Sequence, residues 1–228
     1  MLLQAALNGP YTKDEHPAMP ITAAELAADA RACVEAGAGA IHMHPRNRHG
    51  EETLDPAVID AAVQEVRAAC GVPVGVSTGA WIEPDHALKL EYIRAWTEPD
   101  YASVNISEPG WQEVLRALRE RGIGVEAGVW SVEDALALTE SGLQGDVVRV
   151  LIEPVDADPT EAVALVAAIR EQVQAPVLQH GDGAATWVLI EDAVTHGLDT
   201  RVGLEDTQEA TNPALVARAM SLIRSGGQ

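Results

Sequence analysis

The chain has 228 residues, 47% hydrophobic and 22% charged, a composition that suits one globular domain over residues 1–228 and excludes a disordered chain. Its formal net charge of −20 excludes nucleic acid as a partner, because the phosphates would be repelled. An anionic small molecule would have to be drawn in locally, by a metal ion or an arginine.

No apolar run is long enough to span a bilayer, so no membrane partner is expected, and the first residues lack the basic stretch of a secretory leader. The cytoplasm is the expected location. Cys33 and Cys70 have no CxxC spacing and read as buried apolar residues of a reducing compartment.

In chain order, short β-rich runs fall at 2–9, 40–46, 73–80, 101–107, 124–130, 146–154, 176–182 and 200–206. Amphipathic runs follow them at 22–36, 55–70, 85–96, 110–121, 131–141, 158–173, 184–196 and 212–225. Thr22 and Glu25 make a capping box before the first helix. Asp55-Pro56, Asp158-Pro159 and Asn212-Pro213 each set a capping side chain before a proline at the first helical position. Gly37, Gly71, Gly122, Gly142 and Gly197 stand where helices end, in the left-handed position that glycine tolerates. Eight strands, each followed by a helix, predict an α/β fold of the (β/α)8 TIM-barrel type. A doubly wound sheet alternates in the same way, but no GxGxxG follows the first strand.

Barrel active sites lie at the C-terminal ends of the strands. The second strand carries His42 and His44, two apart and therefore on one face. The last strand carries Arg201, Gly203 and Glu205 on one face by the same alternation, with Gly203 leaving room beside the carboxylate. Two imidazoles and a carboxylate could hold a catalytic zinc with an open position. A non-heme iron triad has the same ligand count, and a polar strand end with a capping turn is an equal reading of the spacing alone. Ser77 and Thr78 end the third strand in a turn, Arg46 follows the histidines, and Trp111 and Trp130 could cover the mouth, though core packing is the more usual role of such residues. His180 reads as a histidine bonded to backbone, or else as an additional ligand or a proton carrier. The two lysines, Lys13 and Lys89, lie away from the mouth, which disfavours Schiff-base chemistry.

Five segments resemble the β-keto acid cleavage enzymes: Leu-Asn-Gly to Met-Pro-Ile-Thr (7–22), Glu-Ala-Gly-Ala-Gly-Ala-Ile-His-Met-His-Pro-Arg (35–46), Val-Ser-Thr-Gly-Ala (76–80), Ala-Ser-Val-Asn (102–105) and Arg-Val-Gly-Leu-Glu-Asp (201–206). The resemblance implies a zinc-dependent barrel that condenses a small β-keto carboxylate with acetyl-CoA and splits the adduct into acetoacetate and a new acyl-CoA. It makes His42, His44 and Glu205 the metal ligands and Asp206 the general base, with Arg201 paired to it. Ser77 joins these as a catalytic group; Ser103, Asn105, Glu126, Thr78 and Arg46 are the expected substrate contacts. A homo-oligomer is the expected assembly. Tyr11 stands where the family has a glutamate, and Gly128 where it has the second acid of a Glu-x-Glu pair. The stretches 108–111 and 153–158 replace longer or glycine-rich family loops. A metal-dependent hydrolase or lyase that does not use CoA is the alternative on the same barrel, and a barrel kept only for binding a third reading.

Overall fold

Eight parallel strands close into a barrel in chain order, each followed by a helix. They are β1 (Leu3–Ala6), β2 (Ala40–Met43), β3 (Val74–Ser77), β4 (Tyr101–Asn105), β5 (Gly124–Val129), β6 (Arg149–Ile152), β7 (Val177–Gln179) and β8 (Asp199–Val202). The helices are α1 (Ala23–Ala36), α2 (Pro56–Cys70), α3 (His86–Ala95), α4 (Trp111–Glu120), α5 (Val132–Glu140), α6 (Pro159–Arg170), α7 (Thr186–His196) and α8 (Asn212–Gly226). The structure, a computed structural model, describes residues 1–155 and 157–226. Asp156, part of the loop singled out after the sixth strand, lies outside the described residues. No helix among them is long and apolar enough to cross a membrane.

The fold is the predicted (β/α)8 barrel, and its helix starts follow the predicted chemistry. Both halves of the Thr22–Glu25 capping box are made, and Asp55 and Asp158 cap α2 and α6 ahead of their prolines. Asn212 departs from the pattern. Its side-chain oxygen accepts from the N–H of Leu204, outside its own helix. Cys33 is buried as expected, whereas Cys70 is only half-buried; both are free thiols.

Alternation sorts each strand into two faces. Ile41, Met43, Val74, Val76, Ala102 and Val104 point outward into the apolar layer under the helices. Their neighbours point into the barrel, where the floor is polar. Gln4 Nε2 donates to Tyr101 Oη at 3.0 Å and to Glu126 Oε1 at 2.9 Å, and Arg149 Nε donates to the same carboxylate oxygen at 2.7 Å. A buried carboxylate is tolerable only with such partners.

The strands end earlier than the sequence pattern suggests. The β1–β8 ladder stops at Ala5↔Val202, so Glu205 and Asp206 lie in the turn beyond β8. That turn is closed by N–H bonds from Asp206 and Thr207 to the Gly203 carbonyl. Gly203 is needed for backbone approach rather than for room in the site, because a Cβ there would stand 1.8 Å from the Ala6 carbonyl oxygen. His44 likewise lies one residue past β2. Asp146, the expected start of the sixth strand, belongs to a 3-10 turn before it.

Candidate metal centre and cavity

His42 reaches the barrel mouth by strand alternation, while His44 and Glu205 arrive from the segments that follow β2 and β8. His42 Nε2 and His44 Nε2 are 3.2 Å apart. Glu205 Oε2 lies 3.6 Å from His42 Nε2, and Glu205 Oε1 lies 3.4 Å from His44 Nε2. Tetrahedral zinc bound at ~2.0–2.1 Å keeps its donor atoms roughly 3.3 Å apart, so the triangle has the right size.

The charge pattern is that of a site built for a cation. Burial pushes the His42 imidazole down to about 3, which keeps it neutral. Burial also opposes charge on His44, but Glu205 and Glu52 outweigh it and lift that ring to about 9. Glu205 stays well below the usual carboxylate range against the effect of burial, held there by Arg201 and both histidines. Glu205 Oε2 is buried with no hydrogen-bond partner in the described structure. An orphaned anionic oxygen facing two imidazoles matches the donor set of a divalent metal.

The second nitrogen of His44 is also engaged. His44 Nδ1 lies 2.5 Å from Glu52 Oε1, and Glu52 Oε2 accepts from Trp81 Nε1 at 3.1 Å. A carboxylate on the far nitrogen fixes tautomer and ring orientation in metal sites. The sequence reading did not include Glu52, which sits in a loop eight residues after the histidine. Trp81 was also missed as a wall of the site; its ring stacks over His44 with centroids 6.4 Å apart.

Behind the triad, Arg201 anchors three carboxylates. Its Nη2 lies 2.6 Å from Asp206 Oδ1, 3.1 Å from Glu205 Oε1 and 3.5 Å from Glu153 Oε1. Burial pushes the Asp206 carboxyl up to about 8, with Glu205 and Glu153 adding to it and Arg201 opposing. Burial likewise lifts Glu153 to about 7. His180 is wedged between them, Nδ1 at 3.5 Å from Asp206 and Nε2 at 3.8 Å from Glu153. No full hydrogen bond reaches either ring nitrogen of His180, although the Gly181 backbone, a partner of the expected kind, acts on the ring against the effect of burial. Glu153, His180 and Asp206 also offer metal-type donors. However, Arg201 brings its own positive charge among the two carboxylates, and the two nitrogens of His180 face different partners.

A cavity of about 210 Å³ opens above the triad, lined by His42, His44, Glu205, Arg201, Ser77, Ser103, Asn105, Glu153 and Asp182. Its apolar walls are Pro10, Tyr11, Trp81, Trp130, Leu151 and Val155. Ser77 and Ser103 sit side by side as register partners on β3 and β4. Ser77 Oγ accepts from the N–H of Gly79 at 3.2 Å, leaving its own proton to donate. Asp206 is not part of the lining and lies beneath it.

Three expected substrate contacts are engaged elsewhere. Thr78 is buried and its hydroxyl donates to the Ser103 carbonyl at 2.7 Å. Arg46 donates to the carbonyls of Gly9 and Tyr11, pinning the loop after β1. Glu126 is fully buried in the floor, one layer below the cavity, where its register partner Arg149 holds it. Of the two tryptophans, Trp111 takes the core-packing role and Trp130 lines the mouth. At position 128, where the family has an acid, a Cβ would stand 2.6 Å from Asn105 Oδ1, so the glycine makes room for the asparagine.

The sequence model of the β-keto acid cleavage enzymes matches residues 1–228. The chain belongs to the β-keto acid cleavage enzyme family. It is similar to the 3-keto-5-aminohexanoate cleavage enzyme of Fusobacterium nucleatum subsp. nucleatum, 35% identical over 81 residues, or 35% of this chain and 30% of that protein. It is also similar to the 3,5-dioxohexanoate:acetyl-CoA acetone transferase of Paraburkholderia graminis, 29% identical over 97 residues, or 42% of this chain and 31% of that protein. The matches therefore span less than a third of the length of either relative, at 30% and 31%. Among solved structures, the 3-dehydroquinate dehydratase from Geobacillus kaustophilus superimposes with a TM-score of 0.69 at 11% identity, covering 98% of this chain and 90% of that one. At that identity the likeness speaks for the barrel alone.

Proposed function

We propose that this β-keto acid cleavage family member is zinc-dependent. It condenses a small β-keto carboxylate with acetyl-CoA and splits the adduct into acetoacetate and a new acyl-CoA. The observation that carries the reading is the convergence of His42, His44 and Glu205 at zinc spacing beside the Arg201–Asp206 pair. His42, His44 and Glu205 hold the metal, which when bound supplies Lewis-acid polarisation of the keto and carboxylate oxygens.

Asp206 acts as general base toward the carbon between those two groups, from directly behind its lining neighbours Arg201 and Glu205. Arg201 bonds its Oδ1 through both Nε, at 3.1 Å, and Nη2, which leaves Oδ2 without a partner to take the proton. A carboxylate lifted toward neutral pH is matched to that task. The same group returns the proton when acetoacetate leaves. Ser77 and Ser103, adjacent on one wall, donate to the thioester oxygen as charge develops on it. The tryptophan and proline walls keep water from the reacting carbon.

The cavity volume supports a small acid as the buried substrate, with the bulk of CoA left outside. The test is incubation of the zinc-loaded protein with a panel of β-keto acids, with and without acetyl-CoA. Acetoacetate and a new thioester formed only with acetyl-CoA are expected. Turnover without any thioester, or metal-dependent hydrolysis of esters or amides, overturns the proposal in favour of a CoA-independent enzyme.

A further inference from the structure

His44 stands beyond the last backbone rung between β1 and β2, and the turn that carries Glu205 keeps only one long backbone bond to β1, from the Glu205 N–H to the Ala6 carbonyl at 3.4 Å. Two asparagine side chains, each 0% exposed, take over there. On one flank of β1, Asn8 Oδ1 accepts from the His44 N–H at 2.9 Å. Its Nδ2 donates to the His44 carbonyl at 2.9 Å and to the Pro20 carbonyl at 3.2 Å. On the other flank, Asn212 Oδ1 accepts from the Leu204 N–H at 2.6 Å. Its Nδ2 donates to the Leu7 carbonyl at 2.7 Å and to Asp29 Oδ2 at 2.6 Å.

A carboxamide offers a donor and an acceptor in one plane, as a peptide group does. It can therefore stand in for a missing rung, whereas a carboxylate has no donor and a hydroxyl carries both functions on a single atom that cannot span the two backbone groups. We infer that Asn8 and Asn212 are positioning residues of the metal centre. They are side-chain rungs that extend the sheet on both flanks of β1 and hold His44 and the Leu204–Glu205 turn at ligating distance. Glu52 acts differently, since it orients an imidazole ring, whereas the two asparagines set where the ligand-bearing backbone lies. Asp29 in α1 belongs to the same device, because it fixes the amide of Asn212 from behind.

The inference rests on the metal centre proposed above. It is tested by zinc affinity, measured by competition with a chromophoric chelator, for the wild type, Asn8→Ala, Asn212→Ala and Thr200→Val. The last removes a buried hydroxyl on β8 that donates to the Gln179 carbonyl at 2.7 Å, away from the ligands, and so controls for general loosening. Both asparagine variants are expected to bind zinc roughly 10–100-fold more weakly, the usual cost of losing outer-shell support, with Thr200→Val close to wild type. Where an alanine variant does not fold, Asn8→Ser or Asn212→Ser, which leaves a small polar group in the buried site, replaces it with the same expectation at smaller size. Wild-type affinity in both asparagine variants, or an equal loss in Thr200→Val, overturns the inference while leaving the metal centre standing. A wild-type chain that takes up no zinc overturns the metal centre, and this inference with it.

Discussion

His44 Nδ1 lies 2.5 Å from Glu52 Oε1, and the other oxygen of that carboxylate is held by the indole of Trp81. The imidazole is thereby fixed with Nε2 toward Glu205, the orientation a ligand needs. Glu52→Gln keeps the shape but replaces the anion with an amide. Zinc affinity is expected to fall roughly 10–100-fold. Isothermal titration of the metal-free protein with zinc checks this, and unchanged affinity would show that Glu52 only braces Trp81.

The barrel was legible because short β-type runs alternate eight times with amphipathic ones, and α1, α2 and α6 announce their starts with capping side chains. What the pattern could not give was where each strand stops. Alternation reads Glu205 as a strand residue, yet the ladder ends at Val202 and a turn delivers the carboxylate. Nor does alternation carry depth. It puts Glu126 on the inward face correctly but cannot tell the floor, where Arg149 waits across the register, from the mouth. Glu52 had no local signal at all. The one clue was chemical, that a ligating histidine needs something on its second nitrogen.

Asp206→Asn removes the proposed base and leaves Arg201 with Glu205 and Glu153 as carboxylate partners. Turnover is expected to drop by ~10²–10⁴, the range for losing a positioned acid or base. Zinc content should be unchanged. Steady-state kinetics on metal-analysed protein separate the two readouts, and near-wild-type turnover would remove Asp206 from the mechanism.

Gly128→Ala tests the fit around Asn105. The added Cβ would lie 2.6 Å from Asn105 Oδ1, so the side chain must shift and strain its bond to Glu108 Oε1, now 2.9 Å. Glu108 is in turn held by the buried Lys89 at 3.2 Å, so the wall has little slack. Overpacking of this kind costs about 1–3 kcal/mol. KM for the keto acid is expected to rise roughly tenfold, equivalent to ~1.4 kcal/mol, with metal content intact. An unchanged KM would mean that Asn105 does not touch the substrate.

Asp29, which is not itself a metal ligand, offers a pH test of stability. Burial lifts its carboxyl to about 6, against a donated bond from Asn212, where an unfolded chain has ~3.9. The folded state therefore binds the proton more tightly than the unfolded one. That contribution favours folding below pH ~4 and is lost as pH rises through about 6, so the buried charge carries its full penalty at neutral pH. A shift of about two units corresponds to roughly 3 kcal/mol at most. Asp29→Asn removes the charge while its amide oxygen can still accept from Asn212. The variant is expected to melt higher than wild type at pH 7.5 and to lose that advantage by pH ~4. The difference between the two melting curves cancels the titration of the many surface carboxylates. A difference that is flat across this range would show that Asp29 titrates alike in the folded and unfolded chains.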